Sequence, residues 1–100
     1  EPGAVTVGRS LTPQEGPIMI RLTIQHYEVP FSARSASKMS PPTFTTDYTT
    51  DQEPADYSPL GEMVAPWSVT GRTKQAQFCK RQPHKRIDNL FVVTVTEEPR

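Results

Sequence analysis

The chain has 100 residues, of which 34% are hydrophobic, and its 11 basic and 11 acidic residues give a formal net charge of zero. A chain this short and polar fits one domain with a thin core, which usually needs disulfides, a structural metal or a partner for stability. Since Cys79 is the only cysteine, a disulfide within the chain is excluded, and a structural zinc site is disfavoured by the small number of soft ligands. We therefore expect a single domain over residues 1–100 that gains stability by association.

The charges are sorted along the chain although they cancel. Between Lys38 and Arg72 every charged residue is acidic, and between Glu62 and Asp88 every charged residue is basic. Such segregation bears on partners rather than on fold. The sequence also lacks the roughly 20 consecutive apolar residues that cross a bilayer, so we expect no transmembrane segment. A single free cysteine fits a soluble protein of a reducing compartment or of a virion.

At the start of the chain, Val5 and Val7 predict a short edge strand that ends at Gly8. A pattern typical of a helix capping box follows at residues 12–15. The next two residues are glycine and proline, so we expect no helix to continue from it.

Proline limits where regular structure can form further along. Eleven prolines leave only residues 18–29, 67–82 and 84–98 as long uninterrupted windows. In the first window, apolar and polar residues alternate with a period of two, which predicts a strand. Its apolar face carries Ile18, Ile20, Leu22, Ile24 and His26.

Residues 30–62 differ in kind from these windows. They contain five prolines, many Ser and Thr residues and almost no aliphatic residue. We interpret the segment as an extended arm or mobile loop of the domain. Ser58 and Pro59 predict one helical turn inside it. Its aromatic residues need a surface to cover, on this domain or on a neighbour, and form a predicted assembly arm: Phe44, Tyr48 and Tyr57.

Residues 64–79 predict a β-hairpin that turns near residues 70–72. Gly71 supplies the positive φ that such a turn requires. The first strand of this hairpin is predicted to place four alternating apolar residues on one face. These are Met63, Ala65, Trp67 and Val69.

Residues 84–98 predict the last strand of the chain. Apolar residues occur at both odd and even positions there, as expected for a central strand that is covered on two sides. With the other elements, this strand predicts an all-β fold. We expect a small antiparallel sandwich or open barrel of four to six strands, with a long irregular 30–62 segment.

No catalytic or metal site has a specific signature. Cys79, His84 and Asp88 can be arranged as thiol, base and orienting acid, and nearby cations favour a thiolate at Cys79. However, neighbours on an extended chain do not automatically converge. His26 is better explained as a half-buried strand residue than as a metal ligand, and the carboxylates of 47–56 lack the glycine of a calcium loop. We expect no catalytic residue, no metal and no cofactor.

The strongest functional signal is the basic block of residues 72–86. Its segment 80–86 contains four permanent cations and a histidine, with aromatic residues nearby. Basic residues with exposed aromatics bind single-stranded nucleic acid by neutralising phosphates and stacking bases, and the same charges suit another anionic surface or a solvated turn. The predicted anionic-partner or nucleic-acid-binding residues are Arg72, Lys74, Lys80, Arg81, His84, Lys85, Arg86, Trp67 and Phe78.

From the sequence we expect a non-enzymatic structural or interaction protein that self-associates or docks to a larger assembly. A thin core without disulfides, open strand edges and an aromatic arm all favour association. A virion structural or accessory protein fits this composition. The alternative is a small nucleic-acid-binding β-domain that uses the basic 80–86 segment, and a thiol enzyme at Cys79 is a remote alternative.

Overall fold

The computed structural model describes residues 18–32 and 41–99. These residues form five strands: β1 (Ile18–Pro30), β2 (Phe44–Thr50), β3 (Glu62–Thr70), β4 (Thr73–Gln82) and β5 (Ile87–Pro99). The strands make one open antiparallel sheet in the order β2-β1-β5-β4-β3. The predicted all-β class is therefore confirmed, with a strand number inside the expected range.

The two longest strands lie at the centre of the sheet. β1 and β5 have 13 residues each and pair along their whole length, from Ile18 opposite Pro99 to Pro30 opposite Ile87. The predicted strands at 18–29 and 84–98 are thus confirmed, and β5 is the central strand. Leu90 and Val92, on the second face of β5, are half-buried, so that face is less covered than the sequence analysis expected.

One face of the sheet, here called the core face, carries the hydrophobic core. Residues directly opposite each other on paired strands share a face, and the pairing of Leu22 with Val95 and of Val93 with Ala76 places these residues together. With Phe78 they are the buried hydrophobic residues of the described chain. The other face, here called the polar face, carries Leu90 and Val92 together with Thr and Gln residues. Some of these polar side chains hydrogen-bond across strands, as Gln75 does with Thr94.

The core face is covered by the connection between β2 and β3, residues 51–61, here called the strap. Because β2 and β3 are the two edges of the sheet, this connection must cross it. The strap contacts the core face at two places. Glu53 of the strap pairs with Lys74, and Tyr57 of the strap packs on Phe78. It includes a single 3-10 turn, Ser58–Leu60, where the sequence predicted one helical turn.

Strand β2 corrects the prediction that 30–62 is irregular throughout. Seven residues of that segment, 44–50, pair with β1 in register from Phe44 opposite His26 to Thr50 opposite Ile20. β-branched Thr and aromatic residues favour a strand. The strand escaped detection because it lies at an edge and its side chains are mostly exposed, so no hydrophobic alternation marks it.

The predicted hairpin is confirmed as β3 and β4, but one residue of its predicted apolar face is misplaced. Bulges interrupt the pairing on either side of Ala65, so Met63 lies opposite Phe78 while Ala65 lies opposite Gln77 on the polar face. Pro66 has no N–H to donate to the ladder, which explains why the strand is irregular there.

Two glycines are required by the connections. Gly71 has φ 61° in the two-residue turn that joins β3 to β4, and the following residue has a negative φ, which defines a type II′ turn. Gly61 has φ 101° at the end of the strap, and a side chain there would collide with the carbonyl oxygen of Cys79.

The predicted short strand at Val5 and Val7 and the capping-box pattern at 12–15 lie outside the described residues. Within those residues the helices are single 3-10 turns, and none could span a membrane.

Candidate interaction surface

The edge strand β2 is regular and mostly exposed. No described strand pairs with its outer edge, so every second residue presents its backbone N–H and C=O groups outward. Two aromatic side chains stand on its core face, Phe44 with 64% and Tyr48 with 43% of its surface exposed. These are two of the three residues of the predicted assembly arm. An open strand edge beside exposed rings is a surface to which a further strand can be added.

The β2 strand is attached to the sheet by an ion pair on the polar face. Arg21 Nε donates to Asp47 Oδ1 at 3.1 Å and Arg21 Nη2 donates to Asp47 Oδ2 at 2.7 Å, while the Thr23 hydroxyl donates to Oδ1 at 3.2 Å. The hydrogen bonds from Arg21, with its positive charge, lower the pKa of the Asp47 carboxyl below its ordinary value of 3.8. The only charged residue of β2 is thereby paired within the chain.

The other edge of the sheet is protected. β3 contains Pro66, which removes a donor, and its bulges bend the strand away from regular pairing. Prolines and bulges are devices that natural sheets use to prevent edge-to-edge association. β2 contains neither feature along its seven residues. The two edges therefore differ in their capacity to accept another strand.

The third predicted arm residue, Tyr57, has an intramolecular role. Its ring centroid lies 5.5 Å from those of both Phe78 and Trp67, and its hydroxyl donates to Glu53 Oε2 at 2.8 Å. Burial, followed by the hydrogen bond to Glu53, raises the pKa of Tyr57. Tyr57 attaches the strap to the core face, so it is not available as an exposed contact.

The predicted basic surface is divided by the structure. Arg72 precedes β4 and Lys80 lies eight residues further on, which separates them by roughly 26 Å along an extended strand. Lys74 Nζ lies 3.1 Å from Glu53 Oε1 and 4.6 Å from the centroid of the Trp67 ring. Arg72 and Lys74 therefore lie at the opposite end of the hairpin from the remaining cations.

At the other end of β4, Arg81 is paired as well. Its Nε donates to Asp88 Oδ1 at 2.8 Å, and its guanidinium carbon lies 4.7 Å from the centroid of the Phe31 ring. For the other basic residues there, no carboxylate of the described chain lies within 4.0 Å. This cluster, here called the basic turn, consists of Lys80, His84, Lys85 and Arg86, around the 3-10 turn Pro83–Lys85.

The aromatic residues predicted to stack on bases are not surface platforms. Phe78 is 4% exposed in the core, and Trp67 is half-buried against it. The aromatic ring beside the basic turn is instead Phe31, which is 40% exposed and whose N–H donates to the carbonyl of Arg86. Sequence reasoning missed Phe31 because it is distant from the basic residues in the chain.

Polar side chains form a hydrogen-bonded group next to Phe44 on the core face. Asn89 is buried, and its Nδ2 donates to the Lys80 carbonyl and to Gln82 Oε1. Its Oδ1 therefore accepts from His26 Nε2 at 2.7 Å, and the His26 ring stacks on Phe91. His26 is a half-buried strand residue, as predicted, and Phe44 lies opposite it on β2.

The surroundings of Cys79 differ from those that a nucleophile needs. Burial, together with the negative charge of Asp88, raises the pKa of the Cys79 thiol, which opposes the thiolate form. Asp88 pairs with Arg81, so its carboxylate serves that ion pair. Among the described residues, no group of three or more His, Cys, Asp or Glu side chains is placed to bind a metal ion.

Comparison of the chain with protein-family models, with curated proteins and with solved structures gives no match in any of the three cases.

Proposed function

We propose that this chain is a non-enzymatic interaction module that associates with other chains by strand addition along the outer edge of β2. The observation that carries this proposal is the contrast between the two edges of one sheet. The β3 edge has a proline and bulges, whereas the β2 edge is regular, and its only charge is paired with Arg21. Backbone hydrogen bonds along such an edge give affinity, and side chains on alternate positions give specificity.

The exposed aromatic side chains of β2 support the same proposal. Phe44 and Tyr48 lie four residues apart on the core face, opposite His26 and Leu22 of β1. Leu22 is fully buried, so the core reaches the second strand of the sheet while the first strand still exposes aromatic surface. An added strand would extend the core face over that surface and remove apolar area from water.

Sedimentation velocity over a concentration series tests the proposal. We expect wild-type protein to associate with rising concentration and Tyr48→Lys to weaken association at least tenfold. The control is Val69→Lys, at a core-face position on the protected edge strand β3 that is more exposed than Tyr48, with 69% against 43% of its surface. That variant should associate like the wild type. Protein that stays monomeric throughout, or association that only Val69→Lys weakens, would overturn the proposal.

The basic turn supports a second candidate function, binding of single-stranded nucleic acid. Lys80, Lys85 and Arg86 are not used in ion pairs of the described chain, and the exposed ring of Phe31 lies beside them. Cations with an adjacent aromatic ring can neutralise phosphates and stack a base. We rank this second because Lys74 and Arg81 are paired and Phe78 is buried, which leaves a small surface.

Fluorescence anisotropy with a labelled single-stranded oligonucleotide, from about 50 to 200 mM salt, tests this candidate. Three neutralised phosphate contacts would make affinity for a single strand fall about 20-fold over that range. The triple substitution of Lys80, Lys85 and Arg86 by Gln should abolish binding, whereas Arg72→Gln, at the far end of β4, should change it little. Equal binding by the triple variant and the wild type would exclude the basic turn as the nucleic-acid-binding site.

A further inference from the structure

We propose that the strand added to β2 is β2 of a second copy, antiparallel, with Phe44 of each copy directly opposite Tyr48 of the other. The inference rests on the proposed function and goes beyond it by naming the partner and the register. In this arrangement residue i of one chain lies opposite residue 92 − i of the other, and a two-fold axis passes between the two copies of Thr46.

An antiparallel pair of identical strands is an isologous contact, because the same patch is used twice and the assembly closes at two chains. When the two residue numbers of each pair add up to an even value, core-face residues meet core-face residues. The two core faces then continue each other on one side of a ten-stranded sheet. An odd sum would turn one copy over and place the aromatic residues on the same side as the polar-face residues of the other copy, which are Thr45, Asp47 and Thr49.

The sequence of β2 distinguishes among the registers of even sum. Centring the pair on Asp47 would place the two Asp47 carboxylates directly opposite each other, and like charges opposite each other destabilise a sheet. Centring it on Tyr48 would leave Phe44 opposite residue 52, which belongs to the strap and has already left the strand. Centring on Thr46 avoids both problems.

The register centred on Thr46 matches side chains of the same kind. On the core face it forms two aromatic pairs, Phe44 with Tyr48 of the other copy and the reverse, and aromatic cross-strand pairs are among the favourable ones. On the polar face it places Thr45 opposite Asp47 of the other copy, where a hydroxyl donor meets a carboxylate acceptor. The Arg21 ion pair keeps Asp47 in position for that contact.

Disulfide trapping tests the register. In a Cys79→Ala background, Thr46→Cys places the two introduced thiols opposite each other at the two-fold axis, with Cβ atoms about 5 Å apart. We expect mild oxidation to convert it to a covalent dimer. The control Thr49→Cys lies opposite residue 43, so the two thiols are about 20 Å apart and should not form a disulfide. A dimer trapped through Thr49→Cys instead of Thr46→Cys would overturn the register.

Charge exchange provides a second test that does not depend on disulfide geometry. Phe44→Lys with Tyr48→Lys places like charges opposite each other and should weaken association at least 100-fold. Phe44→Lys with Tyr48→Glu places opposite charges in contact twice. At low salt this double variant should associate at least tenfold more tightly than the double lysine variant. No difference between the two double variants would overturn the pairing of Phe44 with Tyr48.

The register and the proposed function are overturned by different results. If the wild type dimerises and Tyr48→Lys disrupts the dimer, yet Thr46→Cys gives no covalent dimer, the register is overturned and the proposed function stands. If the wild type remains monomeric at every concentration, the second copy as partner and self-association through β2 are both overturned.

Discussion

At the scale of single residues, Gly61 has a defined structural requirement. It has a positive φ of 101°, and any Cβ there would collide with backbone of Cys79. We predict that Gly61→Ala destabilises the fold by about 3 kcal/mol, because strained φ/ψ and overpacking each cost of order 1–3 kcal/mol. Urea denaturation measures the change.

The control for Gly61 is Gly71→Ala. Gly71 also has a positive φ, 61°, but no atom lies within 4 Å of an added Cβ. This variant should therefore be destabilised only by the cost of a positive φ for alanine, about 1–2 kcal/mol. Equal destabilisation of the two variants would show that the close approach of the strap to β4 is not a significant constraint.

A second prediction at this scale concerns the reactivity of Cys79. Burial and the charge of Asp88 raise the pKa of the thiol, so the thiolate fraction at pH 8 is below that of a free cysteine. We predict slow reaction with a disulfide reagent. Asp88→Asn should accelerate it, because the substitution removes a negative charge and frees the positive charge of Arg81. A wild-type rate at or above that of free cysteine would revive a nucleophilic role.

Among the strands, the sequence predicted those in which buried side chains produce a visible pattern of apolar residues. In β1 the alternation from Ile18 to His26 corresponds to one face over the core, and the irregular apolar pattern of β5 reflects its central position. β2 shows no such pattern, because an edge strand composed mainly of exposed Thr residues buries little apolar surface. The bulges of β3 could not be predicted from the sequence either. Pro66 indicates an edge strand, but it does not indicate where the register shifts.

For the same reason, only part of the candidate surface was predictable from the sequence. Phe44 and Tyr48 could be named as exposed aromatic residues, but the edge that they flank required the pairing of β2 with β1. The basic residues could be found as a block, but their separation depends on which end of β4 each occupies. Sequence proximity does not specify ion pairs such as that of Lys74 with Glu53.

The ion pair of Asp47 predicts a pH dependence for β2. The folded state lowers the pKa of Asp47 below 3.8, so the pair stabilises the fold above that pH, and the stabilisation is lost as the pH falls below it. Asp47→Asn should therefore be less stable than the wild type at pH 7, with a gap that narrows below pH 3.8. Urea midpoints at pH 7 and pH 3 test this.

Thr49→Ala, on the same strand, is the control for Asp47→Asn because it removes no ionisable group. Its difference in urea midpoint from the wild type should be the same at the two pH values. A gap for Asp47→Asn that stays constant between pH 7 and pH 3 would contradict the role assigned to the ion pair.

The strap yields a prediction about its anchor, Tyr57. Tyr57→Phe keeps the ring contacts and loses the hydrogen bond to Glu53, which costs about 1 kcal/mol. Tyr57→Ala also loses the packing on Phe78 and Trp67, for a total of about 2–3 kcal/mol. Emission of Trp67, the only tryptophan, should shift to longer wavelength in Tyr57→Ala. Two variants of equal stability would contradict an anchoring role for the ring.

For the whole molecule, the described residues form a single sheet with one face under a strap and two unlike edges. The described residues extend over 57 × 23 × 20 Å, an elongated shape with little interior, and the buried hydrophobic residues number only five. A core this small gains most from covering further apolar surface. The β2 edge, with Phe44 and Tyr48, is the place where an added strand would extend that core.

Amide hydrogen exchange of the wild-type protein at low and high concentration tests whether the outer edge of β2 accepts another strand. In a monomer the outward-facing amides of β2 have no strand partner in the described chain and should exchange fast. We predict that these amides become protected as concentration rises, whereas the outer edge of β3 is unaffected. Protection that appears at β3 while β2 stays unchanged would contradict the assignment of β2 as the interaction edge.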